Sequence, residues 1–384
     1  MDALTLLSGD AQTFLDKIWA SRVHLHQGDP DSLVGLLTLD DVDHLVTSAA
    51  LRTPTVRVVE AGTVLPASRF TRSATLAGQP LSGLVDGRKV LALFDSGATV
   101  VLQGLHRYWP PLTELVRGLE LALGHPCQAN AYLTPPGSQG FARHSDSHDV
   151  FVFQTHGRKL WEIVEDDVER EVVLEPGLSM YLPTGTPHSA RSESETSLHV
   201  TVGINQVDVR AALRRVTEQV LSHEHYDEVL PAGYLDDPSA LSAALASALT
   251  AYVEDLRGVD TDRVAADRAR GFLSERTPVM FGGLRDLVEL RTLDDDTVLE
   301  RRPTAACALQ VDGDRLVVLL GDRSLRMPVR LLEVMEHVRE QSAFRVGDLE
   351  PWLDPESRLV VARRLVREGL LRIAAAGDQG TERT

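Results

Sequence analysis

Residues 131–164 read AYLTPPGSQGFARHSDSHDVFVFQTHGRKLWEIV, and this stretch decides the fold. Ala129–Leu133, Asp149–Gln154 and Lys159–Val164 are short apolar or alternating runs with turn chemistry between them, so each predicts a β-strand. Working outward, Glu171–Leu174, Ser179–Leu182 and Leu198–Ile204 carry the same signal. Short strands at such spacing predict an all-β sandwich or barrel, and a double-sheet jelly roll fits best.

Two metal-ligand types stand two residues apart in this stretch, His144 and Asp146. On a strand, positions i and i+2 project to one face, so an imidazole and a carboxylate can reach one ion. A third ligand has to come from elsewhere. His188 qualifies, because it follows an apolar strand end, Tyr181-Leu182, and the Pro/Gly turn Pro183–Pro187. Two histidines and one carboxylate on one face of an octahedron leave three positions open, the arrangement of non-haem Fe(II) oxygenases. A bidentate co-substrate fills two positions and O2 the third. If that co-substrate is 2-oxoglutarate, its far carboxylate needs a cation. Lys159, one of only three lysines in the chain, is the candidate supplier. The turn Thr155–Gly157 predicts a hairpin that returns the Lys159 strand beside the ligand strand. Any of these residues alone is an ordinary surface or core residue. Their combination inside one β-rich region carries the reading.

Beyond the β-rich region the periodicity is helical. Ala11–Ala20, after Ser8-Gly9-Asp10, and Thr38–Ala50 predict helices. Pro111–Gly124 has helical spacing at Leu112, Leu115, Val116, Leu119 and Leu123. Between Thr55 and Val101 the pattern is mixed, with strand-like apolar runs at Val56–Val59 and Val90–Phe94. After Asn205 the strands stop, and Val209–Ser222, Ser239–Arg257 and Asp262–Glu275 read as amphipathic helices. From about residue 295 strand candidates return at Ala306–Val311 and Leu316–Leu320. Helix candidates Val329–Gln341, Val346–Leu353 and Ser357–Gly369 follow, then a strand at Leu370–Ala374. That is a winged-helix order. Gly377–Thr384 reads as a disordered polar tail.

Composition sets bounds on function. With 384 residues and 43% apolar content, the chain can build two or three globular units. A net charge of −17 disfavours broad nucleic-acid binding and suits a basic partner. Cys127 and Cys307 are too few and too far apart for a disulfide framework, which fits a reducing cytoplasm. No run approaches a membrane span, and the first residues lack the basic region of a secretory signal.

Asn130–Trp161, with Asn-x-Tyr-Leu-Thr-Pro-Pro-x-Ser-Gln-Gly-Phe-x-x-His-x-Asp and then Gly-Arg-Lys-x-Trp, resembles the JmjC ribosomal oxygenases. These are bacterial and nucleolar protein hydroxylases acting on an arginine or histidine of a ribosomal protein. The resemblance implies that His144, Asp146 and His188 hold Fe(II) and that Lys159 pairs with the 2-oxoglutarate C5 carboxylate. It also implies that Asn130 and Tyr132 line the co-substrate site. Ser197–Thr201 resembles the last jelly-roll strand, which would bring His199 and Thr201 to the pocket border. The alternative for His199 is a buried, hydrogen-bonded core residue.

The expected fold is therefore α+β: a double-stranded β-helix (jelly-roll, cupin JmjC) core, a helical dimerisation region and a C-terminal winged helix. The expected boundaries are 1–207 for the oxygenase domain with its N-terminal helical extension, 208–290 for the helical region, 291–376 for the winged helix and 377–384 for the tail. The expected activity is Fe(II)-, 2-oxoglutarate- and O2-dependent hydroxylation of a protein or peptide side chain by a cytoplasmic homodimer. N-demethylation follows from the same oxidant if the target carbon is an N-methyl group. Two other readings stay open: a peptide or natural-product tailoring hydroxylase, and a winged-helix DNA-binding regulator. Against direct DNA binding, Arg326–Ala376 is nearly neutral in charge.

Overall fold

The computed structural model describes residues 2–138 and 142–374. Gln139, Gly140 and Phe141 of the motif and the expected tail 377–384 lie outside the described residues. The β-rich segment forms two facing antiparallel sheets. The larger runs His24–Gln27, Leu178–Leu182, Asp149–His156, Ser197–Ile204, Cys127–Thr134, Thr99–Leu102, Val56–Glu60 and Thr63–Val64. The smaller runs Val168–Leu174, Lys159–Glu165 and His188–Arg191.

The strand Asp149–His156 shows how the sequence builds these layers. All its residues but the last are buried. Alternation sends Phe151 and Phe153 to the main core beneath the helices. Val150 and Val152 point the other way and pack with Trp161, Ile163, Met180 and Leu182 between the sheets. A strand buried on both faces has to read as a continuous apolar run, and this one does. Each fully buried Val, Leu or Phe contributes about 1.5–3 kcal/mol relative to exposure.

Helices cover the outer face of the large sheet. In Pro110–Leu123, Leu112, Leu115, Val116 and Leu119 are buried, as their spacing predicts, and the helix ends at Gly124 with φ 70°. Thr38 and Asp41 form a capping box at the start of Leu39–Thr47. The helix expected over Ala11–Ala20 runs only Ala11–Lys17. The chain turns away at Ala20, φ 52°, whose N–H donates to the Tyr181 hydroxyl at 2.9 Å. Trp109 is partly buried against the main core and donates its indole N–H to the Leu36 carbonyl.

Three local expectations are corrected. Val90–Phe94 lies inside a helix, Gly87–Asp95, where Asp86 caps the N-terminus and Val90 and Leu93 are buried. The Thr155–Gly157 turn makes no hairpin. Asp149–His156 pairs with Leu178–Leu182 and Ser197–Ile204, whereas Lys159–Glu165 pairs with Val168–Leu174 and His188–Arg191. The turn is a crossover between sheets. Gly157, φ 60°, packs so closely on Thr196 that a Cβ would sit 2.0 Å from its carbonyl oxygen. Finally, His144 and Asp146 are not on a regular strand. His144 makes an isolated antiparallel bridge with His188.

After Ile204 come the helices Val209–Val220, Ser239–Arg257, Thr261–Ser274 and Gly283–Glu289. The Arg276 guanidinium ties this region to the first by bonding the buried Glu120 carboxylate at 2.7 Å. A further core gathers Leu299, Leu316, Val318, Val334, Met335, Val338, Leu365 and Leu371. Around it lie helices Leu332–Glu340 and Pro355–Arg367 and two three-stranded sheets. Strands at Val298–Arg301, Ser324–Pro328 and Ala343–Arg345 were not foreseen. The helix expected over Val346–Leu353 is a single 3-10 turn, Val346–Leu349, because Pro351 cannot continue a helix. Trp352 is part-exposed, with its indole N–H on Glu333 at 2.9 Å. No helix of the described residues is long and apolar enough to cross a membrane.

Candidate active site

The site begins at the His144–His188 bridge. The His144 N–H donates to the His188 carbonyl at 3.0 Å, and the His188 N–H donates back to the His144 carbonyl at 2.8 Å. The Gly185 N–H donates to the Asp146 carbonyl at 3.0 Å, so the Pro/Gly turn clamps the ligand loop. Each imidazole is oriented by the carbonyl two residues before it. His144 Nδ1 lies 2.9 Å from the Ala142 oxygen, and His188 Nδ1 lies 2.9 Å from the Thr186 oxygen. Those contacts turn each ring so that Nε2 is the atom offered to the site. The two Nε2 atoms face Asp146 at 3.9 and 3.8 Å. The three donor atoms lie within 4.8 Å of one another. Burial lowers the pKa of His188 and keeps its ring neutral. Two imidazoles oriented through Nδ1 beside a carboxylate suit a borderline divalent cation, so the donor set fits the iron reading.

A cavity of about 250 Å³ opens between the two sheets beside these residues. Lys159 is fully buried in its wall, and its Nζ donates to the Thr134 hydroxyl at 3.0 Å. Thr99 donates to that same hydroxyl oxygen at 3.2 Å. Among the described residues no carboxylate pairs with Lys159, and burial pulls its pKa down to about 7. A buried ammonium without a counter-charge is costly and favours a bound anion.

Arg57, Tyr132 and His199 lie on one row of the large sheet, since Arg57 is opposite Val101, Val101 opposite Tyr132, and Tyr132 opposite His199. The His199 ring stacks on Tyr132 with centroids 4.9 Å apart and meets the Trp161 ring edge-on at 5.5 Å. Burial, then the nearby Lys159 charge, hold the His199 pKa well below its usual range. Arg57 Nε, Trp161 Nε1 and His199 Nδ1 are buried without hydrogen-bond partners among the described residues, and all three residues line the cavity. Buried polar atoms are nearly always paired, so three orphans in one wall mark it as built for a polar ligand.

Of the residues singled out from sequence, His144, Asp146, His188, Lys159, Tyr132, His199 and Thr201 all line this cavity. Asn130 does not: its side-chain oxygen accepts the Gly104 N–H at 3.0 Å. Sequence reading missed Arg57, Thr99, Thr134 and Trp161. Thr134 was within reach, being two positions along the strand from Tyr132, and Trp161 was in the quoted motif. Arg57 left one signal, a lone cation in the otherwise apolar run Val56–Val59.

Residues 117–211 match the JmjC domain family. The chain is similar to human Ribosomal oxygenase 1, 26% identical over 303 residues, covering 69% of this chain and 46% of that protein. It is also similar to the Branchiostoma floridae bifunctional lysine-specific demethylase and histidyl-hydroxylase NO66, 33% identical over 150 residues, covering 37% of this chain and 24% of that protein. It thus spans less than half the length of these curated relatives. Among solved structures, the ribosomal oxygenase YcfD from Escherichia coli, in complex with cobalt and 2-oxoglutarate, superposes with a TM-score of 0.53 at 16% identity. That match covers 95% of this chain and 98% of YcfD, and it shows a shared fold. The chain therefore matches the JmjC domain family over residues 117–211 and is similar over most of its length to a human ribosomal oxygenase.

Proposed function

We propose that this chain is an Fe(II)- and 2-oxoglutarate-dependent oxygenase that hydroxylates a side chain of a protein substrate, an arginine or histidine of a ribosomal protein. One observation carries the reading: two Nε2 atoms and a carboxylate converge in the same cavity as a buried lysine that has no counter-charge among the described residues. The names of the similar proteins, ribosomal oxygenase and histidyl-hydroxylase, support the substrate class.

His144 and His188, through Nε2, and Asp146 would hold the metal. Bound there with 2-oxoglutarate and O2, Fe(II) supplies the oxidising power that turns a C–H into a C–OH, with succinate and CO2 as co-products. Every other task falls to the protein. Lys159 neutralises the far carboxylate of the co-substrate, and Thr134 holds its ammonium in position. Arg57 offers its guanidinium as a second cation to the same anion. Tyr132, His199 and Trp161 form a stacked, largely dry wall that excludes water from the reacting centre.

The chain divides, in this reading, into an oxygenase domain 1–207, a helical region 208–290 and a winged helix 291–376. The helical region makes the homodimer: Ser239–Arg257 has no buried residue, and Leu245 and Leu249 are exposed on one face. The winged helix is a structural or docking unit. Three arginines of its longer helix are engaged within the fold, Arg358 on Asp295, Arg363 on the Leu293 carbonyl and Arg364 on Glu368. That leaves little for DNA. Two free cysteines suit a cytoplasmic setting.

The test is anaerobic loading with Fe(II) and 2-oxoglutarate, admission of O2, and measurement of succinate with and without ribosomal-protein peptides containing arginine or histidine. Succinate that forms in the wild type, rises with one peptide and coincides with a 16-dalton gain on it supports the proposal (the mass of one oxygen atom, about 16). Absence of both succinate and iron binding sinks it.

A further inference from the structure

A second cluster of ligand-type side chains lies outside the jelly roll. His223 and His225 flank the start of the 3-10 turn Glu224–Asp227, just after helix Val209–Val220. Asp255 projects from the last turns of helix Ser239–Arg257. His223 Nδ1 is 3.3 Å and His225 Nε2 is 3.1 Å from one oxygen of Asp255, Oδ2. The three ligand atoms fall within 4.8 Å of one another. The Tyr226 hydroxyl donates to that same Oδ2 at 3.0 Å and so orients the carboxylate.

We propose that His223, His225 and Asp255 form a divalent-cation site, of zinc type, that clamps the turn after Val209–Val220 to the helix Ser239–Arg257. The two His–Asp spacings are close to those of tetrahedral coordination. Metal–ligand bonds of about 2.0–2.2 Å put neighbouring ligand atoms roughly 3.3–3.6 Å apart. Both His–Asp separations lie at or just below that edge. Two imidazoles and a carboxylate leave a fourth position for water, the composition of open zinc sites. Tyr226 takes the supporting role that a hydrogen bond to a ligating carboxylate has in such sites. The ion has a route in, since both histidines are about half exposed. The turn itself adds Glu224 and Asp227, whose charge attracts a cation.

The cluster also sits where a clamp has structural effect. The two helices are joined at this end by the Tyr252 hydroxyl on Thr217 at 3.0 Å and by an edge-on contact of Tyr226 with Tyr252. Elsewhere the long helix buries nothing. An ion bound to the turn and the helix together would therefore fix the angle of this hairpin.

The experiment isolates this site from the jelly-roll triad. Full-length protein carrying His144→Ala and His188→Ala is stripped with a chelator and titrated with zinc chloride by calorimetry near neutral pH. One zinc per chain is expected, with a rise in melting temperature on binding. Loss of an orienting hydrogen bond in Tyr226→Phe should weaken zinc by about 10–100-fold, and His225→Ala or Asp255→Asn by at least that much. His225→Cys, which keeps a zinc ligand, should restore binding, separating ligand loss from misfolding. Absence of saturable binding overturns the proposal. So does binding that survives His225→Ala and Asp255→Asn unchanged, because a simple ion-paired triad with zinc bound elsewhere gives that result.

Discussion

His144 and His188 hold each other through their backbones, N–H to carbonyl in both directions at 3.0 and 2.8 Å. The two imidazoles are thereby fixed before any metal arrives, although 44 residues separate them in sequence (188 minus 144). Asp146 is tied to the same turn through Gly185. Preorganisation of this kind removes the ordering cost that metal binding would otherwise carry.

The first prediction follows from that geometry. His188→Ala removes a ligand from a buried position, and His144→Ala removes one from the exposed side. Both variants should keep the fold and lose Fe(II), with succinate formation falling to background. Metal content after dialysis and far-UV circular dichroism read the two effects apart. A variant that binds iron normally and still turns over 2-oxoglutarate would refute the ligand assignment.

The jelly roll was legible because its central strands, such as Asp149–His156, Leu178–Leu182 and Ser197–Ile204, are buried on both faces and so appear as apolar runs. The candidate ligands stood out because their chemistry is unusual at that spacing, and the fold brings all three together. What escaped was whatever depends on long-range pairing. The Thr155–Gly157 turn looks locally like a hairpin, yet the strands on either side belong to different sheets. His144 and Asp146 met the i, i+2 rule for a strand, but a single bridge to His188 brings them together instead. Arg57 comes to the cavity only through the row it shares with Tyr132, two strands away, and His199, three strands away, and no local pattern encodes that row. Asn130 failed for the converse reason. It shares the strand face of Tyr132, but its amide is committed to Gly104.

Lys159 gives a pH prediction. Burial puts its pKa at about 7 in the folded chain, against about 10.4 when unfolded. Between those values the unfolded chain binds more protons, so this group makes the ligand-free protein more stable as pH rises from about 7 to about 10. Its destabilising effect is fully present below about 7. Lys159→Met should flatten that part of the melting-temperature profile and raise stability at neutral pH. Co-substrate binding needs the charged form, so 2-oxoglutarate affinity should weaken by roughly tenfold per pH unit above about 7, until the pKa of the complex is reached. Lys159→Met should weaken it by about 10–100-fold and abolish this dependence. Calorimetric titration across pH decides the matter, and a flat wild-type profile would exclude Lys159 as the anion's partner.

Arg57 lies outside the matched JmjC segment, yet its Nε is one of the three orphan atoms of the cavity. Arg57→Met should reduce 2-oxoglutarate affinity by about tenfold, the loss expected for one charge-assisted hydrogen bond. Iron binding should be unaffected. Arg57→Lys keeps the charge and loses the fork, so it should recover only part of the loss. An unchanged KM for 2-oxoglutarate in both variants would assign Arg57 to the cavity wall alone.

The proposed homodimer can be tested on Ser239–Arg257. Leu249 is 62% exposed and Leu245 46% exposed, an apolar pair that packing on a second copy would cover. Leu249→Asp sets a like charge against itself if the face packs on a second copy across a two-fold axis. Sedimentation velocity should find a dimer in the wild type and a monomer in the variant, with uncoupled succinate formation retained. A monomeric wild type would remove the dimer from the proposal and leave the jelly-roll chemistry standing.

The last prediction concerns the joint between the helical region and the C-terminal core. Asp286, on helix Gly283–Glu289, is ion-paired with Arg302, and both side chains are almost wholly buried, 2% and 3% exposed. The pair has further partners, although Arg302 Nε has none among the described residues. Asp286 accepts the Ile373 N–H at 3.2 Å, and Arg302 donates to the Phe281 carbonyl. Such a pair contributes little beyond a well-packed apolar one, but removing one partner strands a buried charge. Arg302→Ala should therefore destabilise the C-terminal core by about 3–5 kcal/mol. Differential scanning calorimetry should record a transition lowered or split in this variant, while iron and 2-oxoglutarate binding persist because the cavity lies in the other core. A single unshifted transition would mean that the ion pair is replaced by water at no cost and that the helix is held by its apolar contacts.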